Sequence, residues 1–133
     1  MIRGISSKDY IDDNGRVSGS LFQFIDTKRE DGFCEASINW YDEKESLQCV
    51  LDQKKDDGTL QFKCGAAILS RSWLDKLIRK PTAKNVLSYE RAPLDNNKYH
   101  GNILRKDCKI NKEIQRGIAG SIAMGVEKII YQK

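Results

Sequence analysis

An α+β fold is predicted: a single sheet of about five strands with three helices, the C-terminal helix packed on the sheet. Two stretches alternate apolar and polar residues with a period of two. They are Cys34, Ala36, Ile38, Trp40 and then Leu60, Phe62, Cys64, Ala66, Ile68. Such alternation belongs to half-buried strands. Near the C-terminus, Ile110, Ile114, Ile118, Ile122, Val126 and Ile130 recur every fourth residue, which keeps them on one slowly drifting face of a helix. The 133 residues, 39% hydrophobic and 32% charged, suit one globular domain spanning 1–133.

The elements follow in the order β-β-α-β-α-β-β-α. Asp13-Asn14-Gly15 is a turn signal, and Arg16 to Ile25 after it is expected to be a strand. Cys34 to Trp40 is the second strand, with Trp40 facing the core. Asp42 opens a short helix as its cap, Glu45 stands three residues on, and Leu47, Val50 and Leu51 form the apolar face. A polar turn at Lys54–Gly58 leads into a strand from Leu60 to Ile68. Ser70 or Ser72 caps the next helix, which runs to Ile78 and is limited by Pro81. Val86 to Arg91 and Tyr99 to Arg105 are strands joined by a loop containing Pro93. The last helix carries the isoleucine stripe as far as Ile130. Its glycines, Gly117, Gly120 and Gly125, signal close packing. They do not make a phosphate loop, because no Gly-Lys-Ser/Thr follows them.

Composition excludes several classes. No apolar run approaches the ~18 residues of a membrane span, and Met1-Ile2-Arg3-Gly4 lacks the apolar core of a signal peptide. The expected compartment is the cytoplasm, without membrane association. Cys34, Cys49, Cys64 and Cys108 are widely spaced and lack a Cys-x-x-Cys pair, so four reduced thiols are expected. With one histidine, no metal site is expected. No cofactor motif is present either. The net charge of +4 is unevenly spread. Residues 1–63 hold 9 Lys/Arg against 13 Asp/Glu, and residues 64–133 hold 14 against 6, a basic C-terminal half that suits an anionic partner.

The densest chemistry lies between Arg91 and Leu104. His100 with nearby cations is the minimum for metal-free phosphodiester cleavage, with Arg91, Lys98, Arg105 and Lys106 as candidate charge donors. It is the one catalytic candidate. A second histidine or a paired carboxylate, needed for an acid and a base, is not evident. Strand alternation places His100 and Asn102 on one face, and Arg91, Tyr99 and Lys98 complete the expected ligand-binding set. Lys106, Lys109, Lys112 and Arg116 form the expected nucleic-acid contact near the start of the last helix. Trp73 and Tyr89 offer stacking surfaces. No RNA-recognition, KH or zinc-finger signature accompanies them. Asp9, Asp12 and Asp13 belong to a turn rather than a calcium or magnesium site. Ser18 and Ser20 lack a nucleophile elbow and read instead as small residues that let a helix approach closely.

Gly15–Phe22, Ala36–Trp40, Glu43–Leu47, Gly65–Ile68 and Pro93–Ile103 occur in an order that resembles short bacterial proteins without assigned chemistry. Their pattern is a Pro-containing loop, an Asn, a His, a strand and a final helix. Asn97-x-x-His100 is its most specific part. Pro-Ala commonly stands there where this chain has Lys98-Tyr99. The resemblance implies a setting in mobile and defence-type gene neighbourhoods and no particular activity. Three functions are thus expected, in this order. The first is a small non-enzymatic interaction subunit of a bacterial assembly, with a protein partner or second copy meeting the last helix near Val126 and Ile130. The second is a nucleic-acid-binding module using the basic half. The third is a metal-independent, ribonuclease-like hydrolase centred on His100.

Overall fold

The computed structural model describes residues 1–25, 29–80, 86–106 and 112–132. The strands are β1 (Ile2–Ile5), β2 (Phe33–Asn39), β3 (Gly65–Leu69), β4 (Leu87–Arg91), β5 (His100–Lys106) and β6 (Val126–Tyr131). The helices are α1 (Lys44–Leu51), α2 (Arg71–Arg79) and α3 (Lys112–Ala123). All six strands join in one antiparallel sheet, in the order β4-β5-β2-β1-β3-β6. The α+β class and a C-terminal helix packed on the sheet are as the sequence predicts, with six strands in place of about five.

Strand alternation divides the core between two faces. On one face Cys34, Ala36, Ile38 and Trp40 meet Ile103 and Leu87 under Leu74 and Leu77 of α2 and Ala119 and Ile122 of α3. On the other, α1 lays Val50, Leu47 and Leu51 on Ile2, Ala66 and Ile68. Each fully buried branched side chain contributes about 1.5–3 kcal/mol by leaving water. The smaller second core leaves much of that face uncovered beyond α1.

Five local expectations are corrected. Arg16 to Ile25 is not a strand. It makes isolated bridges at Val17 and Ile25 around a 3-10 turn at Gly19–Phe22. Leu21 and Phe22 are buried there, and a Cβ on Gly19 would stand 2.9 Å from the Gly120 backbone. Close helix approach thus wins over strand pairing at this point. The cap of α1 is Glu43 rather than Asp42, and Ser46 Oγ accepts the backbone N–H of both. Residues 61–64 form a turn, so the strand begins only at Gly65 (φ +121°). Gly125 ends the last helical segment by seating against the Trp73 ring, and Val126–Tyr131 leaves as a strand instead of continuing the helix. Cys34 is disulfide-bonded rather than reduced, while Cys49 and Cys64 are free. Pro81, Cys108, Lys109 and Ile110 lie outside the described residues. The Ser70 cap of α2 is as expected, its Oγ accepting the Trp73 N–H at 3.2 Å.

Besides β6, the strand that sequence patterning missed is β1. It pairs with β3 along its whole length but with β2 only at Ile2↔Asn39. Beyond that pair the sheet splits. The β2 edge turns to Ile25, which exchanges two backbone hydrogen bonds with Glu35. Arg3 fills the gap, donating from Nε to the Leu21 carbonyl at 3.0 Å and from Nη1 to the Ser37 carbonyl.

Candidate functional site

A groove of about 710 Å³ lies over this split, on the face that carries α1. Its floor is Ile2, Gly4 and Val50; its walls are α1, the loop after Pro93 and the turn between Gln53 and Gln61. His100 is on its lining. Among the expected ligand-binding residues, it is the one on the groove's lining.

His100 is held by geometry that β4, β5 and their connection create. Ala92 N–H donates to the His100 carbonyl at 2.9 Å, and the His100 Nδ1 is 2.8 Å from the Ala92 carbonyl. A carbonyl only accepts, so Nδ1 carries the hydrogen, and the tautomer this selects has its acceptor at Nε2. Among the described residues no hydrogen bond joins the ring to an acidic side chain.

Asn97 anchors the loop. Its backbone exchanges hydrogen bonds with Leu94, closing a tight turn. Its Oδ1 accepts from the Tyr99 N–H at 3.2 Å, from Asn39 Nδ2 at 3.4 Å and from Cys49 Sγ at 3.7 Å. Its Nδ2 donates to Asn39 Oδ1 at 3.1 Å. One carboxamide thus ties the loop to β2 and α1. Across the groove Gln53 Nε2 donates to Gln61 Oε1 at 3.1 Å. Asn39, Cys49, Gln53, Gln61 and Asn97 were not among the expected binding residues. The Asn-x-x-His spacing was the available signal for Asn97; the others are distant in sequence.

The remaining expected ligands are dispersed. Asn102 shares the face of His100, but is buried and donates to Glu90 Oε1 at 3.2 Å. Its Oδ1 has no hydrogen-bond partner among the described residues. Arg29, which the sequence did not mark, holds Asp31, Glu35 and Glu90 together at 2.8 Å each. These bonds hold the Asp31 and Glu90 carboxyls below the ordinary carboxylate range. Arg91 stands opposite Gly101 in the ladder, so it projects from the other face. There it lies 4.2 Å over the Trp40 ring and grips both oxygens of Asp42 at 2.8 Å. His100, Asn102 and Arg91 therefore do not form one cluster. Tyr99 hydrogen-bonds through its hydroxyl to Glu43, which pushes its pKa up, and Lys98 Nζ lies 3.7 Å from the same carboxylate. Both lock the loop to α1. Arg105 is fully buried and offers no charge at the surface.

Of the expected nucleic-acid contacts, Lys112 and Arg116 line a cavity of about 560 Å³ with Ser18, Ser20 and Gln23. Lys106 is exposed at the end of β5 and is not part of that lining. A further cavity, about 630 Å³, borders β6 and the end of α3. Among the described residues no helix is long and apolar enough to cross a membrane. No family model, curated protein or solved structure matches this chain.

Proposed function

We propose that this protein is a small non-enzymatic interaction subunit that docks an extended segment of a partner protein along β6. One observation carries the reading. β6 is a terminal strand of the sheet, and Met124 just before it and Tyr131 at its end are 74% and 57% exposed. A free strand edge supplies backbone donors and acceptors, and apolar side chains beside it supply specificity. Val126, Ile129 and Tyr131 line the adjoining cavity with Ala123 and Val17, so an added strand has somewhere to place its side chains. The opposite edge, β4, is less receptive. Its Glu90 and Arg91 are committed to ion pairs with Arg29 and Asp42.

A partner protein is favoured over a second copy. Two-fold pairing of β6 with itself needs an axis normal to the sheet. Registers centred on Glu127 or Lys128 then set like charges directly opposite, which destabilises the pair. Val126 and Ile130, expected at an interface on a helix, enter this reading as strand residues. The lean away from catalysis rests on His100, whose ring is steered by a backbone carbonyl instead of a carboxylate. The resemblance to short bacterial proteins of mobile and defence-type neighbourhoods is consistent with a subunit of an assembly.

Tagged wild type and a Met124→Lys/Tyr131→Lys variant, used as baits in the native host, test this reading, with protein and nucleic acid both identified by mass spectrometry. A protein recovered by wild type and lost by the folded variant supports it. Recovery of nucleic acid alone favours the basic cavity at Lys112 and Arg116. Light scattering that shows a concentration-dependent dimer abolished by the same variant replaces the partner with a second copy.

A further inference from the structure

We propose that the groove over the β1–β2 split binds a neutral, flat ligand with adjacent hydrogen-bond donors and acceptors, of the nucleobase type. This goes beyond the docking of a protein on β6, and it rests on a different part of the molecule.

The groove is a consequence of strand divergence. After Ile2↔Asn39, β1 stays with β3 while β2 passes to Ile25, so the sheet opens beneath α1. Arg3 satisfies the carbonyls of Leu21 and Ser37 in the opening. That leaves a concavity of about 710 Å³, within the ~300–1,000 Å³ of small-molecule sites.

Its chemistry selects the ligand. Five carboxamides line it: Asn39, Gln53, Gln61, Asn96 and Asn97. Asn39 with Asn97 and Gln53 with Gln61 make two amide–amide pairs, so the orientation of these four is set before a ligand arrives. A carboxamide has two N–H donors and two acceptor lone pairs, so the Asn39–Asn97 and Gln53–Gln61 pairs each retain hydrogen-bonding capacity. Side-by-side donor and acceptor is the edge that Asn and Gln match on a base. His100 Nε2 adds an acceptor. Its Nδ1 is occupied by the Ala92 carbonyl, which fixes the ring.

Charge argues for neutrality. The guanidinium of Arg3 is spent on backbone carbonyls, and the other charged residues on the lining, Asp52 and Lys54, are of opposite sign. Neither an anion nor a cation finds the surplus it would need. The apolar part, Ile2, Val50 and Phe62, suits a flat face rather than a hydroxyl-covered one. Phe62 seats directly on Gly4, where a Cβ would come within 2.3 Å of its ring. The ring is therefore fixed, and the glycine is what admits it.

The test is calorimetric titration of the full chain with adenosine, guanosine, cytidine and uridine, which carry no phosphate, beside N-acetylglucosamine and inorganic phosphate. At least one nucleoside is expected to bind in the millimolar range or tighter. Gln53→Ala and His100→Ala are each expected to weaken it by about tenfold, equivalent to ~1.4 kcal/mol. Gln53 lies on a surface turn, so its variant keeps the test valid if the His100 variant loses stability. Met124→Lys is expected to bind nucleoside as wild type does, which separates this proposal from the β6 reading. Absence of nucleoside binding, binding unchanged in the Gln53→Ala variant, or preference for the sugar or phosphate overturns it.

Discussion

Arg3 joins β1 to the Ser37 carbonyl of β2 across the place where their ladder stops. A charged side chain there does the work of missing backbone pairing. The same residue reaches the Leu21 carbonyl, so one guanidinium secures the sheet, the 3-10 turn and the floor of the groove.

Arg3→Ala is accordingly expected to destabilise the fold. It leaves the part-buried Leu21 carbonyl without its donor, costing about 1–3 kcal/mol, while the exposed Ser37 carbonyl can turn to water. Thermal melts should fall by roughly 5–10 °C for a chain of this size. A melt within two degrees of wild type, roughly the error of the conversion, contradicts the role.

Two glycine replacements are expected to act with opposite sign. Gly101 lies within the sheet, where a Cβ would stand 2.5 Å from the Glu90 carbonyl and 2.6 Å from Trp40 Nε1. Gly101→Ala should cost about 1–3 kcal/mol through overpacking. Gly117 is in α3 with nothing within 4 Å of its Cβ position, so Gly117→Ala should stabilise by about 0.5–1 kcal/mol. Urea denaturation of both measures the difference.

Stability is expected to decline in acid through the Arg29 cluster. The Glu90 carboxyl is held below its ordinary range, chiefly by its hydrogen bond to Arg29. A depressed acid contributes fully above its unfolded-state pKa, about 4.3 for glutamate. The contribution is lost as pH falls from there through the lower native value. Asp31 acts in the same direction. Melting temperature followed from neutral pH into this window should drop more steeply for wild type than for Arg29→Met. Parallel curves remove the cluster from the explanation.

Asn97→Ala is expected to be more damaging than His100→Ala. Asn97 Oδ1 accepts three hydrogen bonds from three parts of the chain, whereas the His100 ring makes one, to Ala92. At about 1 kcal/mol per bond, the histidine should cost about 1 kcal/mol and the asparagine two or three times that. Equal melting temperatures for the two variants contradict the ranking.

The α+β class, β2, α2 with its Ser70 cap, and the β4–β5 hairpin were legible because each is set by neighbours in sequence. Alternation in Cys34–Trp40 and a serine before an apolar helical face need no distant partner to be recognised. The isoleucine stripe was misleading for a geometrical reason. A spacing of four keeps one face of a helix, at 400°, and also one face of a strand, at 720°, so it does not distinguish Ile122 in α3 from Ile130 in β6. The contact of Gly125 with Trp73 decides where one becomes the other, and those residues are 52 positions apart.

By itself the sequence determined the class of fold, the placing of His100 and Asn102 on one strand face, and the Asn97-x-x-His100 segment as a place of concentrated chemistry. Tertiary structure alone decided that Ile2–Ile5 lies within the sheet, that Arg91 faces away from His100, and that Asn39, Gln53 and Gln61 surround the same groove. Such features depend on pairing register and on where strands diverge. Both arise from many long-range contacts settled together, and a one-residue change of register moves every side chain of a strand to the other face.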